Sequence, residues 1–224
     1  MGAAVNIDIT ALSDQFRTAT PFPHLVIDGL WDDDLLESIA HEFPEASDSR
    51  WITYPDAKEW GKRCGSSDVW GPETKIWFDT VRHQSVVESL EKLTGIGPLT
   101  PDDVGGGMHM TTEGGRLASH VDFNIHPDNP GLERRINLLV FLNHEWNPQW
   151  GGTLLLGEHR EVEVVPVFNR TVIFATSNHS WHGHPDPIVG EHARKSLACY
   201  FYAPVRPDAG LAHSTVWQEE QGAR

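Results

Sequence analysis

The pattern of apolar and polar positions divides the chain into a helical first part and a strand-rich second part. Apolar residues recur at helical spacing over residues 32–43, and three aspartates begin that segment, where a helix dipole favours carboxylates. The pattern predicts a helix there and a second helix over residues 80–93, which Gly95 ends. A short apolar run at residues 25–27 predicts a strand that enters the fold before the first helix.

From Gly105 onward, short apolar or alternating runs are separated by Gly, Pro, Asn and Asp. These runs predict strands at residues 135–142, 153–156, 162–165, 170–175 and 194–202. Many short strands in succession are typical of an antiparallel sandwich or barrel. We therefore expect a mainly β fold with N-terminal helices that pack on a C-terminal β core.

The length of 224 residues favours a single domain. We expect one unit over residues 1–224, with a helical N-terminal layer at 1–98, the β core at 99–204 and a C-terminal tail at 205–224. Residues 51–79 are rich in tryptophan and are broken into loops by Gly and Pro. Two interpretations stay open for these tryptophans, because they can be packing residues or part of a mobile lid.

Composition and charge exclude several classes of partner. The chain has 17 basic and 32 acidic residues, a formal net charge of −15 that repels phosphate groups. We therefore expect neither a nucleic acid nor an anionic membrane as a partner, and the oligomeric state stays open. Cys64 and Cys199 form no CxxC pair, which fits reduced thiols in a cytoplasmic protein. Residues 1–12 do not resemble a secretory signal, and no run of about 20 apolar residues suggests a membrane helix.

The sharpest chemical signal is the motif His120-Val121-Asp122. Side chains alternate along a strand, so positions 120 and 122 point the same way, roughly 6.5–7 Å apart along the chain. With one more histidine, they would form the two-histidine, one-carboxylate triad of non-haem Fe(II) oxygenases. An isolated His-x-Asp arises often by chance on a surface turn, so the assignment depends on other features of the chain.

Two such features follow later in the sequence. Three histidines, His179, His182 and His184, come soon after the predicted strand at 170–175 and compete for the role of third ligand. Arg194 begins the final predicted strand and shares a face with Ser196. A guanidinium forms a bidentate pair with a carboxylate and is suited to a partly buried site.

Further short motifs lie in order along roughly residues 100–204. They are Gly105-Gly106-Gly107-Met108-His109, His120-Val121-Asp122-Phe123-Asn124, Arg134-Arg135-Ile136-Asn137-Leu138, Phe141-Leu142-Asn143, Trp150-Gly151-Gly152-Thr153-Leu154, Phe168-Asn169-Arg170, Trp181-His182-Gly183 and Arg194-Lys195-Ser196-Leu197. Together they resemble the prolyl-4-hydroxylase-like branch of the 2-oxoglutarate/Fe(II)-dependent dioxygenase superfamily. The segment 21–43 also resembles the usual opening of that family.

This resemblance implies a double-stranded β-helix, or jelly roll, as the core. It implies that His120, Asp122 and His182 are the iron ligands, with His182 a better match than its neighbouring histidines. Arg194 matches the basic residue that pairs with the distal carboxylate of 2-oxoglutarate. The resemblance therefore implies Fe(II), 2-oxoglutarate and O2 as cofactor and cosubstrates, with ascorbate as the expected reductant in vitro.

The sequence departs from the family at the cosubstrate pocket. Met110 and Phe141 stand where many members carry a residue with a hydroxyl group. Asn137 and Ser196 are candidates to supply the missing hydrogen bonds to the cosubstrate.

The activity implied by the resemblance is hydroxylation of an unactivated C–H bond, with release of succinate and CO2. The retained Asp122 favours hydroxylation, desaturation or ring chemistry over halogenation. A small molecule or an amino acid is the expected substrate, and His109, Asn124 and His184 are candidates to contact it. Protein prolyl hydroxylation is one alternative; a non-oxidative cupin-like isomerase or a metal-binding module is the alternative from another class.

Overall fold

The computed structural model describes residues 9–218, and Asp103 is described only in its backbone. The prediction that residues 1–12 are not a secretory signal therefore rests mostly on residues outside the described range. The last six residues of the expected C-terminal tail, 219–224, also lie outside it. Within the described range, the α-helices are α1 (Ile9–Thr18), α2 (Asp33–Glu42), α3 (Pro72–Arg82) and α4 (Gln84–Thr94). The side chain of Asp32 accepts a hydrogen bond from Leu35 N at 2.9 Å and caps α2 where the aspartate run predicted its start.

The prediction of one helix over residues 80–93 is wrong, because two helices meet there. His83 lies between α3 and α4 with an extended backbone, and its imidazole accepts a hydrogen bond from Ser85 N to cap α4. The start of α3 was missed because Gly71 and Pro72 indicated a loop. Proline is well tolerated in the first turn of a helix, where its missing N–H has no intrahelical partner to lose.

The strands form two antiparallel sheets. Their bounds are β1 (His24–Asp28), β2 (Ile52–Thr53), β3 (Lys62–Gly65), β4 (Thr100–Thr111), β5 (Leu117–Val121), β6 (Leu132–Phe141), β7 (Leu154–Leu156), β8 (Val162–Val164), β9 (Arg170–Ala175), β10 (His182–His184), β11 (Arg194–Pro204) and β12 (Val216–Trp217). The seven-stranded sheet has the order β1-β9-β6-β11-β4-β3-β2, and the five-stranded sheet has the order β12-β5-β10-β7-β8. The strands predicted from the pattern are all present, with ends shifted by up to a few residues.

The two faces of the seven-stranded sheet have different partners. Its outer face packs against the helices, as in the cluster that joins Trp77 and Leu36 to Phe201 of β11. Its inner face packs against the five-stranded sheet, where Phe141 of β6 meets Leu156 of β7. Side chains alternate along each strand, so one strand serves both layers, and the space between the sheets is left for the site.

The tryptophan-rich segment belongs mainly to the core. Trp51, Trp70 and Trp77 are buried in the cluster beneath the helices, whereas Trp60 is 58% exposed. These positions favour the packing interpretation over a lid built from the tryptophans. Cys64 and Cys199 are both free and buried, as expected.

The expected division of the chain needs two additions. Residues 1–98 supply β1, β2 and β3 to the larger sheet, so this part is not a purely helical layer. The segment after residue 204 supplies β12, which pairs with β5. That the whole chain forms one domain stays a prediction. None of the helices in the described part of the chain has the length and apolar character that crossing a membrane requires.

Candidate active site

His120, Asp122 and His182 converge between the two sheets. In β5 and β10, His120 lies directly opposite His182, and Asp122 follows β5 by one residue. Ligating atoms of the three side chains all lie within 4.8 Å of one another. The Nε2 atoms of His120 and His182 are 3.6 Å and 3.5 Å from the nearest oxygens of Asp122. Strand pairing therefore brings together three side chains that could hold one metal ion.

The two histidines are oriented by their own backbone surroundings. Nδ1 of His120 donates a hydrogen bond to the Ala118 carbonyl at 2.9 Å, and Nδ1 of His182 donates to the Ser180 carbonyl at 2.8 Å. A proton on Nδ1 leaves the lone pair on Nε2 free, which is the form that binds a metal. Burial lowers the pKa of His182 to about 4, so its ring is neutral near pH 7. The donor set fits a divalent transition metal such as Fe(II).

Asp122 is held by two buried polar residues of β6. Its Oδ2 accepts a hydrogen bond from Asn137 Nδ2 at 2.8 Å and lies 3.1 Å from Arg134 Nη2. Arg134 Nε also donates to Asn137 Oδ1 at 2.9 Å, and its guanidinium stacks on the ring of Tyr200 at 3.4 Å. Burial alone would raise the pKa of Asp122, but Arg134 and the neighbouring histidines hold it well below its usual range. Asp122 is therefore an ionised carboxylate whose direction is fixed by Asn137 and Arg134.

Arg194 is a buried cation whose surroundings contain no described carboxylate partner. The residue is 5% exposed, its Nε donates to the Gly152 carbonyl at 2.7 Å, and its guanidinium lies 4.8 Å from the centre of the Phe141 ring. Burial lowers the pKa of Arg194 to about 9, and no acidic group opposes that shift. A buried guanidinium in this state fits an anionic ligand, because its remaining N–H groups still need an acceptor.

These groups share one cavity of about 240 Å³ between the sheets. His109, His184 and Ser196, which the sequence nominated, all line it. Asn137 also lines it, but it commits Nδ2 to Asp122 and Oδ1 to Arg134, so its observed role is to hold the carboxylate rather than a cosubstrate. His109 Nε2 lies 3.1 Å from the Gly105 carbonyl, and burial lowers its pKa to about 3.

Asn124 does not line this cavity, although it was a candidate to contact substrate. Its Nδ2 donates to the Leu211 carbonyl at 3.0 Å, and its Oδ1 accepts from His213 N at 2.9 Å. Asn124 therefore fastens the C-terminal segment beside the site. His179 is exposed and His184 lies beyond His182 on β10, so His182 is the histidine that meets His120 and Asp122.

Sequence reasoning missed several cavity residues. Arg134 was noted only within a motif, and nothing in the sequence separated it from Arg135. Trp217 of β12 reaches the cavity and packs against the His120 ring at 5.1 Å between ring centres. Glu59, in the connection between β2 and β3, and Lys62, at the start of β3, pair at 3.3 Å and line the cavity. Their spacing in the sequence carries no motif that would have identified them.

Residues 106–202 match the family model described as the 2OG-Fe(II) oxygenase superfamily. The matched segment, which contains the triad and Arg194, is a domain of this superfamily. The chain is a 2-oxoglutarate-dependent dioxygenase, and enzymes with this domain use Fe(II), 2-oxoglutarate and O2, as the resemblance implied. No curated protein sequence matches the chain.

Solved structures with the same fold include a prolyl-4-hydroxylase from Pseudomonas putida, at 16% identity and a TM-score of 0.64, covering 88% of this chain and 100% of that one. A prolyl hydroxylase from Trichoplax adhaerens, in complex with a hypoxia-inducible factor peptide, has 16% identity and a TM-score of 0.61, covering 87% and 88%. HygX from Streptomyces hygroscopicus, with nickel, 2-oxoglutarate and hygromycin B bound, has 14% identity and a TM-score of 0.55, covering 87% and 92%. These likenesses confirm the double-stranded β-helix of this dioxygenase.

Proposed function

We propose that the dioxygenase holds Fe(II) with His120, Asp122 and His182, binds the distal carboxylate of 2-oxoglutarate with Arg194, and hydroxylates an unactivated C–H bond of a small molecule or amino acid. The reaction releases succinate and CO2. The expected chemistry of the bound iron is activation of O2 with electrons from 2-oxoglutarate. The protein's own side chains bind, orient and exclude water.

The observation that carries this proposal is the pairing of an oriented triad with Arg194 in one cavity. The cavity contains two groups of complementary character, a metal-binding set and a buried cation without a described carboxylate. A 2-oxo dicarboxylic acid has a matching pair of ends, because its 2-oxo acid group chelates a metal and its second carboxylate is an anion. A non-oxidative isomerase would not need 2-oxoglutarate or a residue such as Arg194 to bind it.

The buried polar groups around the triad have distinct tasks in the proposal. The Ala118 and Ser180 carbonyls fix the histidine rings, while Arg134 and Asn137 fix the carboxylate. Such hydrogen bonds set the direction of each ligand before the metal arrives. The neutral His182 and the ionised Asp122 are ready to bind iron near pH 7 without losing a proton.

The expectation of a small substrate rests on the size of the cavity. Its volume of about 240 Å³ lies below the range of roughly 300–1,000 Å³ common for small-molecule sites, and it must also hold the cosubstrate. HygX binds hygromycin B, and the prolyl hydroxylase of Trichoplax adhaerens binds a peptide fragment. Prolyl peptides are therefore the second substrate class to test.

The decisive experiment measures succinate release with Fe(II), ascorbate and 2-oxoglutarate while candidate substrates are varied. Free amino acids, small natural products and proline-containing peptides form the three arms. We expect substrate-stimulated succinate formation in one of the first two arms. Stimulation by prolyl peptides alone would replace the small-molecule assignment with protein prolyl hydroxylation.

Asp122→Ala tests the metal assignment, because it removes the one carboxylate of the triad. We expect loss of metal binding and of 2-oxoglutarate-dependent succinate formation. Asp128→Ala is the matched control, since Asp128 is exposed in the loop that follows β5. Unchanged succinate formation in Asp122→Ala would contradict the ligand assignment, and turnover without any 2-oxoglutarate would favour the isomerase alternative.

A further inference from the structure

His184 is a buried polar side chain that has no role in the proposed function. It lies two residues after His182 on β10, and both residues line the cavity although the register with β5 shifts between them. The residue is 3% exposed and lines the same cavity as Arg194. Its Nδ1 is enclosed and has no hydrogen-bond partner among the described residues. A buried nitrogen without a partner is costly unless a ligand or a suitable tautomer satisfies it.

The tautomer of His184 follows from this arrangement. A neutral imidazole carries one N–H and one lone pair. An enclosed N–H without an acceptor costs more than an enclosed lone pair, because donors in protein interiors are almost always paired. We therefore place the proton on Nε2. The imidazole then offers its Nε2–H as a donor.

The end of the cavity near Arg194 contains no free carboxylate among the described residues. Thr111 lies opposite Arg194 in the register of β4 and β11, and its buried side chain lines the cavity. Phe141 contributes an apolar ring with no polar atom. The two carboxylates that line the cavity are already engaged, Asp122 by Arg134 and Glu59 by Lys62. The donors at this end therefore have an anionic ligand as their natural acceptor.

We propose that His184 donates a hydrogen bond to the distal carboxylate of 2-oxoglutarate and acts with Arg194 as its second anchor. The inference rests on the proposed use of 2-oxoglutarate by this site. It replaces the candidate role of His184 in substrate contact with a role in cosubstrate binding. One imidazole N–H beside one guanidinium gives the carboxylate a directed partner in addition to a charge.

The test compares two 2-oxo acids in the same Fe(II)-loaded protein without oxygen. The first is 2-oxoglutarate; the second is 2-oxovalerate, which has a methyl group in place of the distal carboxylate. The charge-transfer absorbance of the iron–2-oxo acid complex gives the Kd of each, without turnover. His184→Leu removes the donor, and His184→Met supplies a second variant of similar size if the first does not fold.

We expect His184→Leu to raise the Kd for 2-oxoglutarate roughly 10- to 100-fold, the range for a hydrogen bond to a charged group. The Kd for 2-oxovalerate should change less than about twofold, because that ligand has no distal carboxylate to lose. His179→Leu is the matched control, since His179 is an exposed histidine of the preceding turn, and both Kd values should stay at the wild-type level.

Two results would overturn the role of His184. Equal weakening of both 2-oxo acids would mean that the substitution disturbs the iron site as a whole, and unchanged binding of both would mean that His184 makes no contact with the carboxylate. Failure of the wild-type protein to develop any 2-oxoglutarate band would instead refute the proposed function itself. The two failures are therefore distinguished by the wild-type titration.

Discussion

Arg194→Met is expected to make the ligand-free protein more stable, although it removes a residue of the site. Burial lowers the pKa of Arg194 from 12.5 to about 9. At about 1.4 kcal/mol for each tenfold change, that shift corresponds to roughly 5 kcal/mol of lost solvation. The substitution also removes the hydrogen bond to the Gly152 carbonyl, worth about 1 kcal/mol, and some packing on Phe141.

The net gain is therefore expected to be about 1–3 kcal/mol, which raises the Tm by about 3–9 °C for a chain of this size. Saturation with 2-oxoglutarate should cancel most or all of this difference in stability. The wild-type protein gains about 2.7 kcal/mol when the ligand concentration is 100 times its Kd. Loss of one partner of a buried charge pair costs about 2–5 kcal/mol of binding, so the variant should gain almost nothing at the same concentration.

Thermal unfolding followed by circular dichroism, with Mn(II) and with or without 2-oxoglutarate, measures both effects. Arg160→Met is the matched control, because the Arg160 side chain is 54% exposed and pairs with an exposed aspartate. Its Tm should change little under either condition. An Arg194→Met protein that is less stable than the wild type without 2-oxoglutarate would refute the view that Arg194 is a buried charge without a compensating partner.

Three further predictions concern the groups around the site. Asn137→Leu should weaken Mn(II) binding about 10- to 100-fold in an equilibrium titration, because Asp122 loses a hydrogen bond; unchanged affinity would contradict this role. Trp217→Ala should speed metal loss to a chelator about 2- to 10-fold by uncovering His120, whereas Val216→Ala should not. Arg206→Met should lower the Tm by about 2–8 °C at pH 7, because buried Glu133 loses a bidentate partner that is itself 35% exposed. Burial alone would raise the pKa of Glu133, but Arg206 lowers it on balance, so this stability is fully present above about pH 4.5 and the Tm difference should shrink as the pH falls through the lowered pKa.

Alternation along a strand predicted the pairing of His120 with Asp122, and the family resemblance selected His182 from three candidate histidines. His120 and Asp122 point the same way on any strand, and the register between β5 and β10 brings His182 opposite His120. Arg194 was also within reach, since it begins a long strand after the histidine-rich segment. These residues could be found because side chains alternate along a strand and because the histidine-rich segment and the last strand follow each other in the sequence.

Arg134 was beyond such reasoning because a bulge breaks the alternation. Positions 137, 139 and 141 of β6 face the inner side, so a period of two predicts Arg135 there as well. The register shifts between Phe201 and Tyr202, which pair with Ile136 and Arg134 and leave Arg135 without an opposite residue. Arg134 is thereby turned inward and is only 3% exposed. No feature of the local sequence indicates this shift of register.

The cavity has the opposite charge balance from the protein as a whole. Its lining contains three cationic side chains, Lys62, Arg134 and Arg194, against the two carboxylates Glu59 and Asp122. The chain has a formal net charge of −15, so its surface repels anions while this enclosed region attracts them. Without a metal, the negative charge of Asp122 largely cancels the positive charge of Arg134. A bound metal shares the Asp122 carboxylate, so less of the Arg134 charge is cancelled. Metal binding should therefore strengthen the attraction of the cavity for a dianion such as 2-oxoglutarate, so that the metal binds before the cosubstrate.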